Sequence, residues 1–483
     1  RVLGGQLALT ASYAAAGWHL HLRGSGLSLQ QVSARLTAAG YAVPQLEGPG
    51  RIGLTARVDG VGAAPQQADL QLKVQTGAFS NTDGSLAGED LDVVLEGKLK
   101  PAAQGWNLEL DATASSGGLY AEPLFIEVPS RPLQMQAVLH WDPQRRRVLL
   151  HDFDYRHPDR VRLKGSGHFN LASADPLQSL QLDVVEGVFP ALYETYLQPW
   201  LTDSGLGSLD TTGQVSGQLR LRDGNLDKLQ LALRDVSVQD QEQRFALARV
   251  RGRVNWSASG DAQHSRLSWD SGSVYRVVLG PADIAVETAN QSVRLLETAQ
   301  LQVLDGTLQI DAFNLEYGND AALRWQVDGI LTPVSMTELS RALGWPEFAG
   351  KLSGVIPSVR YQEGELVVGG ILLVRVFDGE VTLRNLRLEQ PLGLVPRLQV
   401  DAQANNIDLE LLTRAFSFGR IEGRLDGRID GLEMESWRPV AFDAVFATPE
   451  DDRSRHRISQ KAVDNISSIG GGGVGGALSR SFL

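Results

Sequence analysis

Apolar and polar residues take turns through most of this chain. Leu229-Gln230-Leu231-Ala232-Leu233, Val236-Ser237-Val238, Leu308-Gln309-Ile310-Asp311, Val381-Thr382-Leu383-Arg384, Leu386-Arg387-Leu388-Glu389 and Leu398-Gln399-Val400-Asp401 each set aliphatic residues at every second position. That period belongs to a strand with one greasy and one wet side. Asp223-Gly224-Asn225, Asp305-Gly306, Glu363-Gly364 and Asp378-Gly379 separate such stretches as hairpin turns. Helical spacing is confined to a few places, chiefly Met336 to Leu343, Leu409 to Phe416 and Ser459 to Ile469. The pattern predicts a mainly β chain: an elongated, curled antiparallel sheet with a few short helices.

The pattern also repeats. Leu339-Ser340-Arg341-Ala342 leads into Gly350-Lys351-Leu352-Ser353-Gly354, and Leu412-Thr413-Arg414-Ala415 leads into Gly423-Arg424-Leu425-Asp426-Gly427, with an offset of 73 residues at every matched position. A helix followed by several strands is being duplicated. Weaker copies lie upstream, where Phe189 to Leu201 precedes Gly213 to Leu219 and Leu27 to Ala39 precedes Gly50 to Leu54. Self-similarity of this kind marks a stacked architecture that works through a continuous surface. The expected organisation is an N-terminal part of a β-groove over residues 1–188, repeated helix-plus-strands units over 189–458, and a helical, glycine-rich segment over 459–483.

An apolar sheet face has three options: to pack on a second sheet, to close into a barrel, or to curl and leave the face lining a groove. A sandwich normally ends after a hundred or so residues, and here the alternation runs through a chain of 483. Curling accommodates both the length and the scarcity of helix.

Composition narrows the partners. A formal charge of −12 without a basic cluster argues against nucleic acid, which needs Lys and Arg gathered on one face. The densest basic run, Arg145-Arg146-Arg147, follows Asp142-Pro143 as a solvated hairpin would. With no cysteine, disulfides and thiolate metal sites are excluded. The apolar run from Val367 to Phe377 is broken by Gly369, Gly370 and Arg375, and is too short to span a bilayer as a helix. The chain opens on Arg1 in β-like sequence and stops within an apolar pattern at Leu483, and is read as an internal piece of a longer protein.

The helix-like segments at 339–342 and 412–415, each feeding a strand that opens with glycine, are joined by the tail from Arg457-Ile458-Ser459-Gln460 through Asn465-Ile466-Ser467-Ser468 into Gly470-Gly471-Gly472-Gly473. Together these resemble the C-terminal region of YdbH-like proteins, within the AsmA-like group that also includes TamB. The specific part of the resemblance is the last 150 residues or so. It implies a taco-shaped, lipid-lined β-groove that carries phospholipid between inner and outer membranes. It further implies location in the periplasm with attachment to the inner membrane, the anchor lying outside this sequence. The dicarboxylate-transport role also attached to that family finds no anion site here.

Lipid transfer makes physical sense of such a face independently. Exposing an acyl chain to water costs about 0.8 kcal/mol per methylene, so a sixteen-carbon chain leaving a bilayer meets a barrier on the order of 10 kcal/mol. A trough of aliphatic side chains removes most of it, and the head group stays in water at the seam. Roughly 30 strands spaced about 4.8 Å apart would make a path on the order of 150 Å. The predicted lining is Leu229, Leu231, Leu233, Leu308, Ile310, Val381, Leu383, Leu386, Leu388, Leu398 and Val400. The same residues are equally readable as ordinary core.

Enzyme signatures are poor. Gly470 to Gly476 formally satisfies Gly-x-Gly-x-x-Gly, but it follows a helix-like segment and lacks a βαβ setting. There is no Gly-x-Ser-x-Gly elbow and no His-Glu-x-x-His. In His151-Asp152-Phe153-Asp154-Tyr155-Arg156-His157-Pro158-Asp159, strict alternation puts His151, Phe153, Tyr155 and His157 on one face and the carboxylates on the other, so a metal site is not expected. The nine tryptophans are scattered and do not form a sugar-binding ladder. No enzymatic activity and no cofactor is expected. Three function classes remain: a phospholipid conduit, an outer-membrane biogenesis scaffold pairing client strands at exposed sheet edges, and a β-helical polysaccharide-binding protein, which the long irregular repeat disfavours.

Overall fold

The computed structural model describes residues 2–470 apart from 42, 129, 203, 318–322, 392 and 394. It is mainly β, about 67% strand and 10% helix, with an antiparallel sheet that is curled in part and five short helices. The predicted fold class is the one observed. The chain divides into two compact units, Arg1–Val236 and Ser237–Leu483.

The first unit is a meander in which each long strand pairs antiparallel with the next. Its strands are Gln6–Ala14, Gly17–Ser28, Gly50–Val61, Ala64–Thr76, Leu86–Ala102, Gly105–Ala121, Leu133–Asp142, Arg147–His157, Val161–Asn170, Leu177–Phe189 and Leu209–Arg222. The hairpin turns fall where the sequence signals put them. Asp223 and Gly224 both take positive φ, 48° and 77°, as a tight two-residue connection requires. Two helical segments rest on this unit: α1, Leu29–Ala38, capped by the Ser28 hydroxyl accepting from Gln31 N at 3.4 Å, and a π-turn at Tyr193–Leu197 that runs into α2, Gln198–Leu201.

The second unit is built in the same style, and its repeat is visible in the backbone. Strand Gly306–Glu316 corresponds to Gly379–Glu389, strand Arg324–Ser335 to Arg397–Asp408, and helix α3, Met336–Leu343, to α4, Leu409–Ala415, each start displaced by 73 residues. Chemistry repeats with it. Ser340 and Thr413, both buried, turn their hydroxyls back to the carbonyls of Met336 and Leu409 at 2.6 and 2.7 Å. Lys351 pairs with Asp305 at 3.1 Å and Arg424 with Asp378 at 2.6 Å, in each case tying a hairpin to the strand that follows the helix. Both helices end on a left-handed residue, Gly344 at φ 70° and Ser417 at φ 52°. The last helix, α5, spans Gln460–Gly470. The glycine tract that begins there lies, from residue 471 on, outside the described residues.

Most strands are not strictly alternating from end to end. Between Arg384 and Arg387 one extra residue is inserted opposite Asp401 and Gln399, with Asn385 at φ 53°. Comparable register shifts occur between Ile310 and Ala312, Glu89 and Asp92, and Val184 and Gly187. Each bulge bends and twists its strand locally, so a series of them curls the sheet. Short Asp and Asn side chains tolerate the left-handed backbone at such points, as at Asp90, Asp235, Asn385 and Asn406.

Candidate functional site

Residues directly opposite one another in an antiparallel pair point to the same face, so the registers can be followed across the first unit. Leu9, Leu22, Ala56, Leu70, Gly97, Leu110, Ala137, Phe153, Gly165, Leu182 and Leu219 form one unbroken row over eleven strands. One residue away on each strand the row reads Ala8, Arg23, Thr55, Gln71, Glu96, Asp111, Gln136, Asp154, Lys164, Asp183 and Gln218. One face is hydrocarbon and the other is hydrogen-bonded polar surface, with Gln71 donating to Glu96 at 2.9 Å and Gln136 to Asp111 at 2.8 Å.

The second unit carries the same arrangement. Val293, Leu315, Trp325, Tyr361, Leu366, Leu388, Leu398, Met434 and Pro439 are matched in sequence from strand to strand. Trp325 and Tyr361 stack with ring centroids 5.7 Å apart.

A second layer would bury these rows, and it does not. Leu22, Leu110, Phe153, Leu182, Leu219, Leu315, Leu388 and Leu398 are all half-buried, touching lateral neighbours while retaining solvent contact, and Leu9 and Leu70 are exposed. The chain exposes 27759 Å², whereas a compact protein of its 52.3 kDa would expose about 17,500 Å², and two separate compact bodies of half that mass about 21,000 Å² together. Half-buried and exposed apolar strand residues contribute to that excess.

Coverage is local, supplied by the helical segments. Around α1, Leu27, Leu29, Ile52, Phe79 and Leu91 are buried. The π-turn brings Leu192 onto Val161 and Val215. Helix α3 brings Met336 onto Val374 and Val376.

The predicted lining residues sort accordingly. Leu308 and Ile310 are opposite Leu301 and Ala299, Leu386 is opposite Val368, Leu388 sits between Leu366 and Leu398, and these five are half-buried on the apolar face. Leu229 is half-buried as well. Leu231 and Leu233 pack against the Val161 cluster, and Val381 and Leu383 against the Met336 cluster. Val400, opposite Leu432, is buried at 6% exposure and so packs as core. Strict alternation would set Val381 and Leu383 on the side opposite Leu386 and Leu388; the bulge at Asn385 reverses the phase and keeps all four together. The eleven-strand row of the first unit was missed, although period-two stretches such as Asn107 to Leu110 carry its signal in the sequence.

The His151–Asp159 segment is strand ending in a polar turn, with one correction. A bulge between Leu150 and Phe153 makes Leu150, not His151, share the face of Phe153, and His151 is left exposed. His157 is 1% exposed; its Nδ1 lies 2.7 Å from the Tyr196 hydroxyl and its Nε2 3.0 Å from the Glu127 carbonyl. The Tyr155 and Tyr196 hydroxyls are 2.7 Å apart. Burial, reinforced by the nearby Arg160 guanidinium, pushes the imidazole down to about 4, and burial raises the Tyr196 phenol. Neutral His157 thus joins Tyr196 through Nδ1 to the Glu127 carbonyl and the Arg160 guanidinium, 3.1 Å away, through Nε2, fastening the π-turn to the sheet. On the opposite face Asp154 is held well below the usual carboxylate range by hydrogen bonds from Arg156 and Arg162.

Among the described residues no three His, Asp or Glu side chains gather as a metal-binding group, and no helix is long and apolar enough to cross a membrane. Compared with known proteins, the chain matches no family model, no curated protein and no solved structure. The geometry is left to carry the functional reading.

Proposed function

We propose that this protein carries phospholipid between membranes, with acyl chains lying on the uncovered apolar face and head groups in water. The observation that supports this reading is a row of aliphatic and aromatic side chains continuous from strand to strand yet only half-buried, from Val293 through Leu388 to Met434. A monomer rarely exposes an apolar area larger than a few hundred Å² unless something uses it. Hydrocarbon is a fitting occupant because the row offers neither a charged nor a hydrogen-bonding pocket. Non-enzymatic action in the periplasm, with attachment to the inner membrane through sequence outside this chain, belongs to the same proposal and rests on the resemblance to YdbH-like proteins.

The test is transfer of a fluorescent phospholipid from donor to acceptor vesicles. Leu388→Asp and Leu398→Asp are expected to slow transfer at least tenfold while leaving the circular dichroism of the sheet unchanged. Wild-type transfer rates in both folded variants would defeat the proposal.

A second reading, a scaffold that pairs client strands during outer-membrane biogenesis, draws on one feature. Strand Arg438–Ala447 pairs with Arg424–Glu435 and with no other described strand, and it exposes Val440, Phe442, Val445 and Phe446. Open apolar edges invite strand addition. Capture of an unfolded outer-membrane protein in place of phospholipid would favour it.

A further inference from the structure

The second unit contains a cleft of about 980 Å³ between the chain that leaves α3, Glu347 to Gly350, and the outer side of α4, with the Arg375–Glu380 hairpin as its floor. It lies where one copy of the 73-residue repeat meets the next. We infer that this cleft is a side port at which one acyl chain of a zwitterionic phospholipid docks beside the apolar face; the inference rests on the lipid reading above.

Three observations converge. Phe348, Phe377 and Phe416 meet with ring centroids 5.1, 6.0 and 6.3 Å apart, and all three are half-buried, so the aromatic cluster keeps apolar surface toward solvent. Leu411, at 40% exposure, and Ala415 extend that surface along the facing side of α4. The cleft is at the upper end of the size range for small-molecule sites and holds far more than a water cluster.

Its floor is also continuous with the face that lipid is proposed to use. Phe348 and Phe377 pack against the same Met336, Val374 and Val376 cluster as Val381 and Leu383. Hydrocarbon seated there is one side chain away from the sheet's apolar side.

The rim decides the head group. Arg375 and Arg414 flank the cleft together with Glu347, Asp378 and Glu380. Arg375 pairs with Glu380 at 3.0 Å and Arg414 with Glu410 at 2.7 Å, both as exposed pairs that exchange partners at little cost. Glu347 and Asp378 are paired in turn, with Arg341 at 3.0 Å and Arg424 at 2.6 Å, so the rim balances its charges and offers a guanidinium to a phosphate and a carboxylate to an ammonium. A lone fatty-acid carboxylate would take a guanidinium from one of these pairs and bring no ammonium for the carboxylate it displaces.

The experiment uses the full chain and, below its micelle concentration, a 16:0 lysophosphatidylcholine carrying a diazirine near the chain end, with adducts mapped by mass spectrometry. Saturable labelling of Phe348, Phe377 or Leu411 is expected. Leu411→Trp, which fills the cleft, is expected to reduce that labelling at least tenfold, Leu411→Ala to retain it, and sodium palmitate to compete at least tenfold more weakly than unlabelled lysophosphatidylcholine. Adducts confined to the surroundings of Leu388 and Leu398 would overturn the port and leave the conduit standing. No adducts anywhere would sink both, and equal competition by palmitate would overturn the zwitterionic assignment.

Discussion

Two stretches of the second unit are built from the same residue types and differ in one respect. Under α3, Val374 and Val376 are 8% and 6% exposed, and Met336 is 5% exposed. On adjoining strands, Leu366, Leu388 and Leu398 continue the apolar face and remain half-buried. Sheet pairing alone therefore leaves this face open; closure needs an added element. The covered stretch holds structure together, and the open stretch is available to a ligand.

The comparison breaks most visibly where cover is removed. Met336→Ala deletes the side chain that α3 inserts among Val374 and Val376, and a cost of about 2–5 kcal/mol is expected. It would be read as lost hydrogen-exchange protection in α3 and strand Ile371–Val376. An equally large truncation on the open stretch, Leu388→Ala, should cost less than Met336→Ala, because that side chain is half-buried where Met336 is fully buried.

Acid is expected to loosen the first unit's cover. The unfolded chain protonates His157 near its ordinary value of 6.5 and the folded chain only near 4, so the unfolded state binds more protons between those values. Stability is whole above about pH 6.5, falls through the window and is lower by on the order of 3 kcal/mol below it. Urea unfolding of the π-turn region at pH 7 and pH 4.5 measures the slope, and His157→Gln should flatten it.

A smaller effect than that of acid concerns helix α4. Asp408 accepts from Leu411 N at 3.0 Å as its N-cap, and Asp408→Ala should cost about 1 kcal/mol of local stability. Hydrogen exchange confined to Leu409–Ala415 would register it, with strand Arg397–Asp408 unaffected.

Much of this was legible in the sequence because it is local. Period-two alternation marked the strands, Asp-Gly and Glu-Gly pairs marked the hairpins, and α3 appears at the predicted Met336–Leu343. The 73-residue offset read from Leu339 and Leu412 extends to whole strands and to the Asp305–Lys351 and Asp378–Arg424 pairs. What stayed hidden is set by pairing. Whether Leu383 and Leu386 share a face depends on a bulge that only the partner strand reveals. Likewise the burial of Val400 and the packing of Leu231 beneath the π-turn are tertiary facts that no alternation rule encodes. His157 read as one of two candidate imidazoles, and its partners Tyr196 and Glu127 are 39 and 30 residues away in sequence.

The claim that everything else depends on is that hydrocarbon occupies the open face and avoids the polar one. A photoreactive phenylalanine analogue placed at Leu388, and separately at Gln399 on the opposite face, tests it in membranes containing the protein. The account predicts phospholipid adducts from position 388 and none from 399. Equal labelling from both positions, or none from 388, would contradict it.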